Sequence, residues 1–133
     1  MQRNILVDLN VILDVLLERP GYKASQAVLE DSSNGYALFI SGHIVTTFAY
    51  LLEHAKVPNE EIRRNISWLL SVFSVVATSD NILNSALKSD ITDYEDAVIE
   101  QAALGCKAST IVTRNIKDFA QSAVPALTPE SFV

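Results

Sequence analysis

Short runs of consecutive apolar residues alternate along the chain with longer stretches in which apolar residues recur every three or four positions. These are the marks of buried strands and of helices with one apolar face. Ile5-Leu6-Val7 is the first run and ends in Asp8, after which Val11, Ile12, Val15 and Leu16 follow at helical spacing. Tyr22 to Gly35 repeats that spacing through Ala24, Ala27 and Val28 and predicts a helix stopped by Asn34-Gly35. Ala37-Leu38-Phe39-Ile40 is a second strand. Ser41 then opens a helix carrying Ile44, Val45, Phe48, Leu51 and Leu52 on one face, which must end near Val57-Pro58. Asn59, with Glu60 and Glu61 behind it, is expected to cap a helix reaching about Leu70, and Val72 to Ala77 supplies a third strand. A helix after Asp80 runs through Ile82, Leu83, Ala86 and Leu87. Thr92-Asp93-Tyr94-Glu95 fits a capping box and opens a helix that stops at Gly105. Thr110-Ile111-Val112 is the fourth strand, a brief fifth falls within Ala123 to Leu127, and Pro129 to Phe132 closes the chain.

Strands of three to six residues, apolar throughout and alternating with helices, predict a parallel sheet covered on both faces. The fold class is therefore α/β, a single domain over residues 1–133 with a short parallel sheet of four to five strands and helices on both faces. No linker, repeat or low-complexity block divides it. Ligands of such sheets bind beyond the carboxyl ends of the strands. Asp8 closes the first strand at that edge, and Asn115 follows the fourth. The helix that begins at Asp93 must run antiparallel to the strands to reach the fourth, so Asp93, Glu95 and Asp96 start at the same edge. Asp118 belongs to the loop there.

Charge first argues against a polyanionic ligand and then qualifies that argument. Sixteen acids against ten bases give a net charge of −6, unlike a protein that grips nucleic acid with its whole surface. Any polyanion must be met locally. Carboxylates gathered without a base for each repel one another, and a divalent cation relieves that repulsion. Carboxylates with a carboxamide are hard ligands suited to Mg²⁺ or Mn²⁺, which serve phosphoryl chemistry. Each acid also has a simpler use: helix capping or the helix dipole for Asp93, Glu95 and Asp96, a turn for Asp118. Asp8, ending a buried strand, has little structural reason to be there.

The remaining residues bound the picture. Asp14 reads as a solvated helix residue, and His43 and His54, eleven apart, read as surface or satisfied histidines. A single cysteine, Cys106, excludes a disulfide framework or a multi-cysteine zinc site and suits the reducing cytoplasm. The first residues reach Asp8 too soon for a signal-peptide core, and the run from Ile66 to Ala77 falls short of the roughly 20 residues of a membrane span. The expectation is a cytoplasmic protein with no membrane partner.

Several of these segments together resemble the PIN domain, the fold of VapC-like toxins of toxin–antitoxin systems. They are Ile5-Leu6-Val7-Asp8-Leu9-Asn10-Val11-Ile12-Leu13-Asp14, Phe39-Ile40-Ser41 before a helix, Asp96-Ala97-Val98-Ile99, and Ile111-Val112-Thr113-Arg114-Asn115-Ile116-Lys117-Asp118-Phe119. The resemblance implies a Mg²⁺- or Mn²⁺-dependent endoribonuclease, with Asp8, Asp96 and Asp118 catalytic. Asp8, Asp96, Asn115 and Asp118 would hold the metal. Asn10, Ser41, Thr47 and Asp93 would support the cluster, and Arg114 and Lys117 would contact RNA phosphates. It further implies an antitoxin protein as partner and a homodimer. Ile62, Ile66, Trp68 and Leu69 are either the dimer face or core.

One departure stands out. The family places a glutamate on the helix that follows Ser41, where this chain reads Thr46-Thr47-Phe48. Thr47 would at most hold a metal-bound water. The alternative reading is a catalytically weak PIN-like module that binds RNA or protein. A phospho-receiver is disfavoured, because Asp8-Leu9-Asn10 offers one acid where receivers need a pair and no lysine follows Lys117. The Asp-x-Asp of haloacid-dehalogenase-like phosphatases likewise fails at Asn10.

Overall fold

β1 (Arg3–Val7) lies at the centre of a five-stranded sheet, and its three successive apolar residues Ile5, Leu6 and Val7, which face both sides, are all fully buried. The computed structural model describes residues 3–30 and 35–133. β2 (Tyr36–Ser41) and β4 (Thr110–Val112) flank β1, with β3 (Ser74–Val76) and β5 (Ala126–Leu127) outermost, in the order β3-β2-β1-β4-β5 with every pair parallel. The expected α/β class, with its parallel sheet and flanking helices, is what the chain adopts.

The helices are α1 (Leu9–Leu17), α2 (Tyr22–Glu30), α3 (Gly42–His54), α4 (Asn59–Val72), α5 (Asp80–Ala86), α6 (Tyr94–Gly105) and α7 (Pro129–Phe132), with a 3₁₀ turn at Ile116–Phe119. Val11, Ile12, Phe48, Leu69, Val98 and Ile111 are among the largest fully buried side chains. Ile62 and Leu69 are spent on this core, and Ile66 and Trp68 pack against it half-buried.

Several boundaries move for local reasons. α4 starts after Pro58, whose carbonyl accepts from Ile62 N–H at 3.0 Å, so Asn59 is the first helical residue rather than the cap. The same helix runs on to Val72 and is closed by Phe73 N–H on the Leu69 carbonyl, which shortens β3 to Ser74–Val76. Asp93, not Thr92, caps α6. The expected stop at Asn34-Gly35 lies partly outside the described residues. Asp14, expected in solvent, is only 4% exposed.

Register places the site. Leu6 pairs with Phe39 and Val7 with Val112, so β1, β2 and β4 end side by side. Asp8, Ser41 and Thr113 therefore stand at one edge, at the centre of the sheet, where the helices beyond β1 and β2 begin.

Candidate functional site

Asp8 is the N-cap of α1, and its carboxylate is held from two sides. Oδ1 accepts from Leu9 N–H at 2.8 Å. Oδ2 accepts from the Thr113 hydroxyl at 2.8 Å and from Asn10 Nδ2 at 3.3 Å. Asn10 accepts in turn from the Arg114 backbone N–H at 3.1 Å, and Thr113 Oγ1 accepts from Asn115 N–H at 3.1 Å. Burial pushes the Asp8 carboxyl above its ordinary value, against the bonds from Thr113 and Leu9, and Glu95 adds to the rise. Thr113 is fully buried and was given no role from sequence, although its place after β4 and opposite Asp8 was the available signal.

Asp96 lies in the first turn of α6, where its N–H donates to Asp93 Oδ1 at 3.1 Å. Asp93 thus supports the helix start. The Asp96 carboxyl is pushed from 3.8 up to about 7, first by burial and then by the charges of Asp93, Asp8, Asp118 and Glu95. The topology thus brings Asp8 and Asp118 into electrostatic reach of Asp96. A cleft of about 570 Å³ opens beside Asp96 and Asp118, lined also by Asp93, Tyr94, Lys117 and Gln121 among others. Asn115, Lys117 and Asp118 are exposed, and Asp118 N–H donates to the Asn115 carbonyl at 3.0 Å.

On the β2 side, buried Ser41 shares a 2.7 Å hydrogen bond with His43 Nδ1 and lies 3.4 Å from the Thr78 hydroxyl. His43, expected to be a surface or satisfied histidine, is bonded through Nδ1, while its Nε2 is buried with no partner among the described residues; burial lowers its pKa against the pull of Asp8. His54 is exposed and stacks on Tyr50. Thr47 is half-buried, and its hydroxyl donates to the His43 carbonyl at 3.3 Å.

Two expectations need correction. Asp14 is buried because Arg114 Nε donates to its Oδ2 at 2.7 Å and Ser25 Oγ at 2.9 Å. Arg114, expected to meet phosphate, is engaged by its own chain, with Glu130 Oε1 and Oε2 at 2.5 and 2.6 Å from Nη1. Lys117 forms no ion pair among the described residues.

The donors fit a hard cation in kind, since carboxylates and a carboxamide share one edge. They do not fit in arrangement. Among the described residues, no group of three or more His, Cys, Asp or Glu side chains is gathered closely enough to hold a metal ion. Also among them, no helix is long and apolar enough to cross a membrane.

A parallel α/β domain with acids at the carboxyl edge of its central strands, drawn from the start, the sixth helix and the loop after β4, defines a narrow class. The PIN domain profile matches residues 4–117, and the chain belongs to that family. Among solved structures, VapBC2 from Rickettsia felis bound to a DNA fragment from its promoter is similar with a TM-score of 0.76. It is 18% identical over 94% of this chain and 98% of that one. A toxin–antitoxin complex from Klebsiella pneumoniae is similar with a TM-score of 0.71 and 23% identity, covering 94% and 97%. VapBC-1 from nontypeable Haemophilus influenzae follows at 0.66 and 20%, covering 96% and 98%. No curated protein matches.

Proposed function

We propose that this chain is a catalytically weak PIN module that engages RNA or a protein partner at its carboxylate edge and holds Mg²⁺ or Mn²⁺ loosely. The observation that carries this reading is the state of the donors. Both Asp8 oxygens already accept hydrogen bonds from Leu9, Thr113 and Asn10, and the Thr47 hydroxyl, where the family's second acid would stand, is turned onto its own helix. Of the two bases after β4, Arg114 is engaged within the chain, and Lys117 is the one free of ion pairs among the described residues. The likeness to toxin–antitoxin complexes suggests an antitoxin-like protein as the partner, a cytoplasmic setting and a homodimer.

A second reading, the metal-dependent endoribonuclease of a toxin–antitoxin pair, is favoured by Asp96. Its carboxyl rises to about 7, first through burial and then through the charges of Asp93, Asp8, Asp118 and Glu95, which a divalent ion beside Asp96 would offset. Such an ion would polarise a phosphodiester and activate water.

Cleavage of a labelled RNA in Mn²⁺ decides between them. The weak-module reading expects slow cleavage by the wild type and a gain of about tenfold or more in Thr47→Glu, since a restored carboxylate adds a ligand. Wild-type cleavage as fast as that of Thr47→Glu, lost in Asp8→Asn and Asp96→Asn, would establish the nuclease instead.

A further inference from the structure

We propose that Asp14, Arg114 and Glu130 are positioning residues, a clasp that sets Asp8 and Asn115 from the far side of the loop after β4. The proposal rests on the reading above only in taking Asp8 and Asn115 as working groups. The Arg114 guanidinium meets three helices at once. Nε donates to Asp14 on α1, Nη1 to Glu130 on α7, and Nη2 to the Gly21 carbonyl at 2.9 Å and Ser25 Oγ at 3.2 Å, Gly21 preceding α2 and Ser25 lying on it. Ser25 Oγ donates onward to Asp14, so Asp14, Ser25 and Arg114 close a ring of hydrogen bonds, with Glu130 joined to it through Arg114. Gly21 has φ +87°, and a Cβ there would stand 2.9 Å from Arg114 Nη2, so a side chain at position 21 would crowd the guanidinium.

The same residue faces the site through its backbone. Arg114 N–H holds Asn10, Asn10 holds Asp8, and the residues on either side are Thr113, bonded to Asp8, and Asn115. A continuous path of hydrogen bonds thus runs from Glu130 to the Asp8 carboxylate. A planar fork pinned on three sides has few rotamers left, and the peptide that carries it is correspondingly fixed.

Amide hydrogen exchange by NMR on the full chain, without metal or RNA, tests this. Glu130→Gln loosens one half-exposed arm, while α7 stays docked through buried Pro129 and through Phe132, whose ring lies 5.0 Å from that of Tyr36. Arg114→Lys keeps the charge and loses the fork. In both variants the amides of Leu9, Arg114 and Asn115, which report on Asp8 Oδ1, Asn10 and Thr113, are expected to exchange about tenfold faster, with β1 amides within about twofold of wild type. Unchanged protection at those three, or the same acceleration in β1, overturns the proposal, because a purely structural role would loosen everything together. Mn²⁺ affinity, read by electron paramagnetic resonance, is expected to fall about threefold or more in both variants, with Asp8→Asn as calibration. Equal affinity in wild type and Glu130→Gln, where the wild type binds, also overturns it. If the wild type binds no Mn²⁺, the metal reading fails and the exchange rates alone decide the clasp.

Discussion

Two groups of carboxylates flank the loop after β4, and the fold treats them oppositely. Asp14 is the more deeply buried, yet it receives a guanidinium and a hydroxyl, and Glu130 shares the same guanidinium. Asp96 is half-buried with no cation paired with it among the described residues, and its carboxyl rises to about 7, first through that burial and then through the charges of Asp93, Asp8, Asp118 and Glu95. Where acids serve architecture, the chain provides the cation. Where it leaves like charges together, the compensation has to come from outside, from a metal, a cationic partner or a proton.

The contrast is broken most directly by removing its cation. Arg114→Ala leaves Asp14 buried with Ser25 alone and should cost about 3–5 kcal/mol of unfolding free energy in urea titration. Lys117→Ala, on the exposed side, should stay within about 0.5 kcal/mol. A comparable loss from both would erase the distinction. Asp96→Asn probes the other group and should leave the metal-free protein at pH 8 unchanged or more stable, by no more than about 1 kcal/mol given solvent screening. A clear loss would mean that this acid, too, is architectural.

The smallest effect is in pH. Because the Asp96 carboxyl rises from 3.8 to about 7 on folding, the folded chain binds a proton that the unfolded chain releases in that window. Its contribution is full below the unfolded value and is lost as pH climbs towards 7. Thermal melts of wild type and Asp96→Asn should therefore diverge in that window, the wild type losing ground as pH rises. A constant difference from pH 4 to pH 8 would sink the assignment.

What could be read from the residues was local. Ile5-Leu6-Val7 before Asp8 announces a central strand and its edge, and Asp93 before α6 announces a helix start, because each signal lies within one element. The burial of Asp14 is not legible in α1, since it depends on a residue 100 positions away. Arg114 looked like a free base for the same reason. Position 47 is the opposite case, in which the missing acid was plain in the sequence. The setting of His43 was not, since its backbone N–H reaches the Thr78 hydroxyl, 35 positions away, only when α3 is in place.

The clasp also orders events in time. A chain synthesised from its N-terminus exposes Asp14 long before Arg114 exists, and Arg114 before Glu130, so α1 and α2 first meet around a bare carboxylate. Contacts across such sequence distances form late. Until residue 130 has been made, the brace behind the edge that carries Asp8 lacks its outer arm.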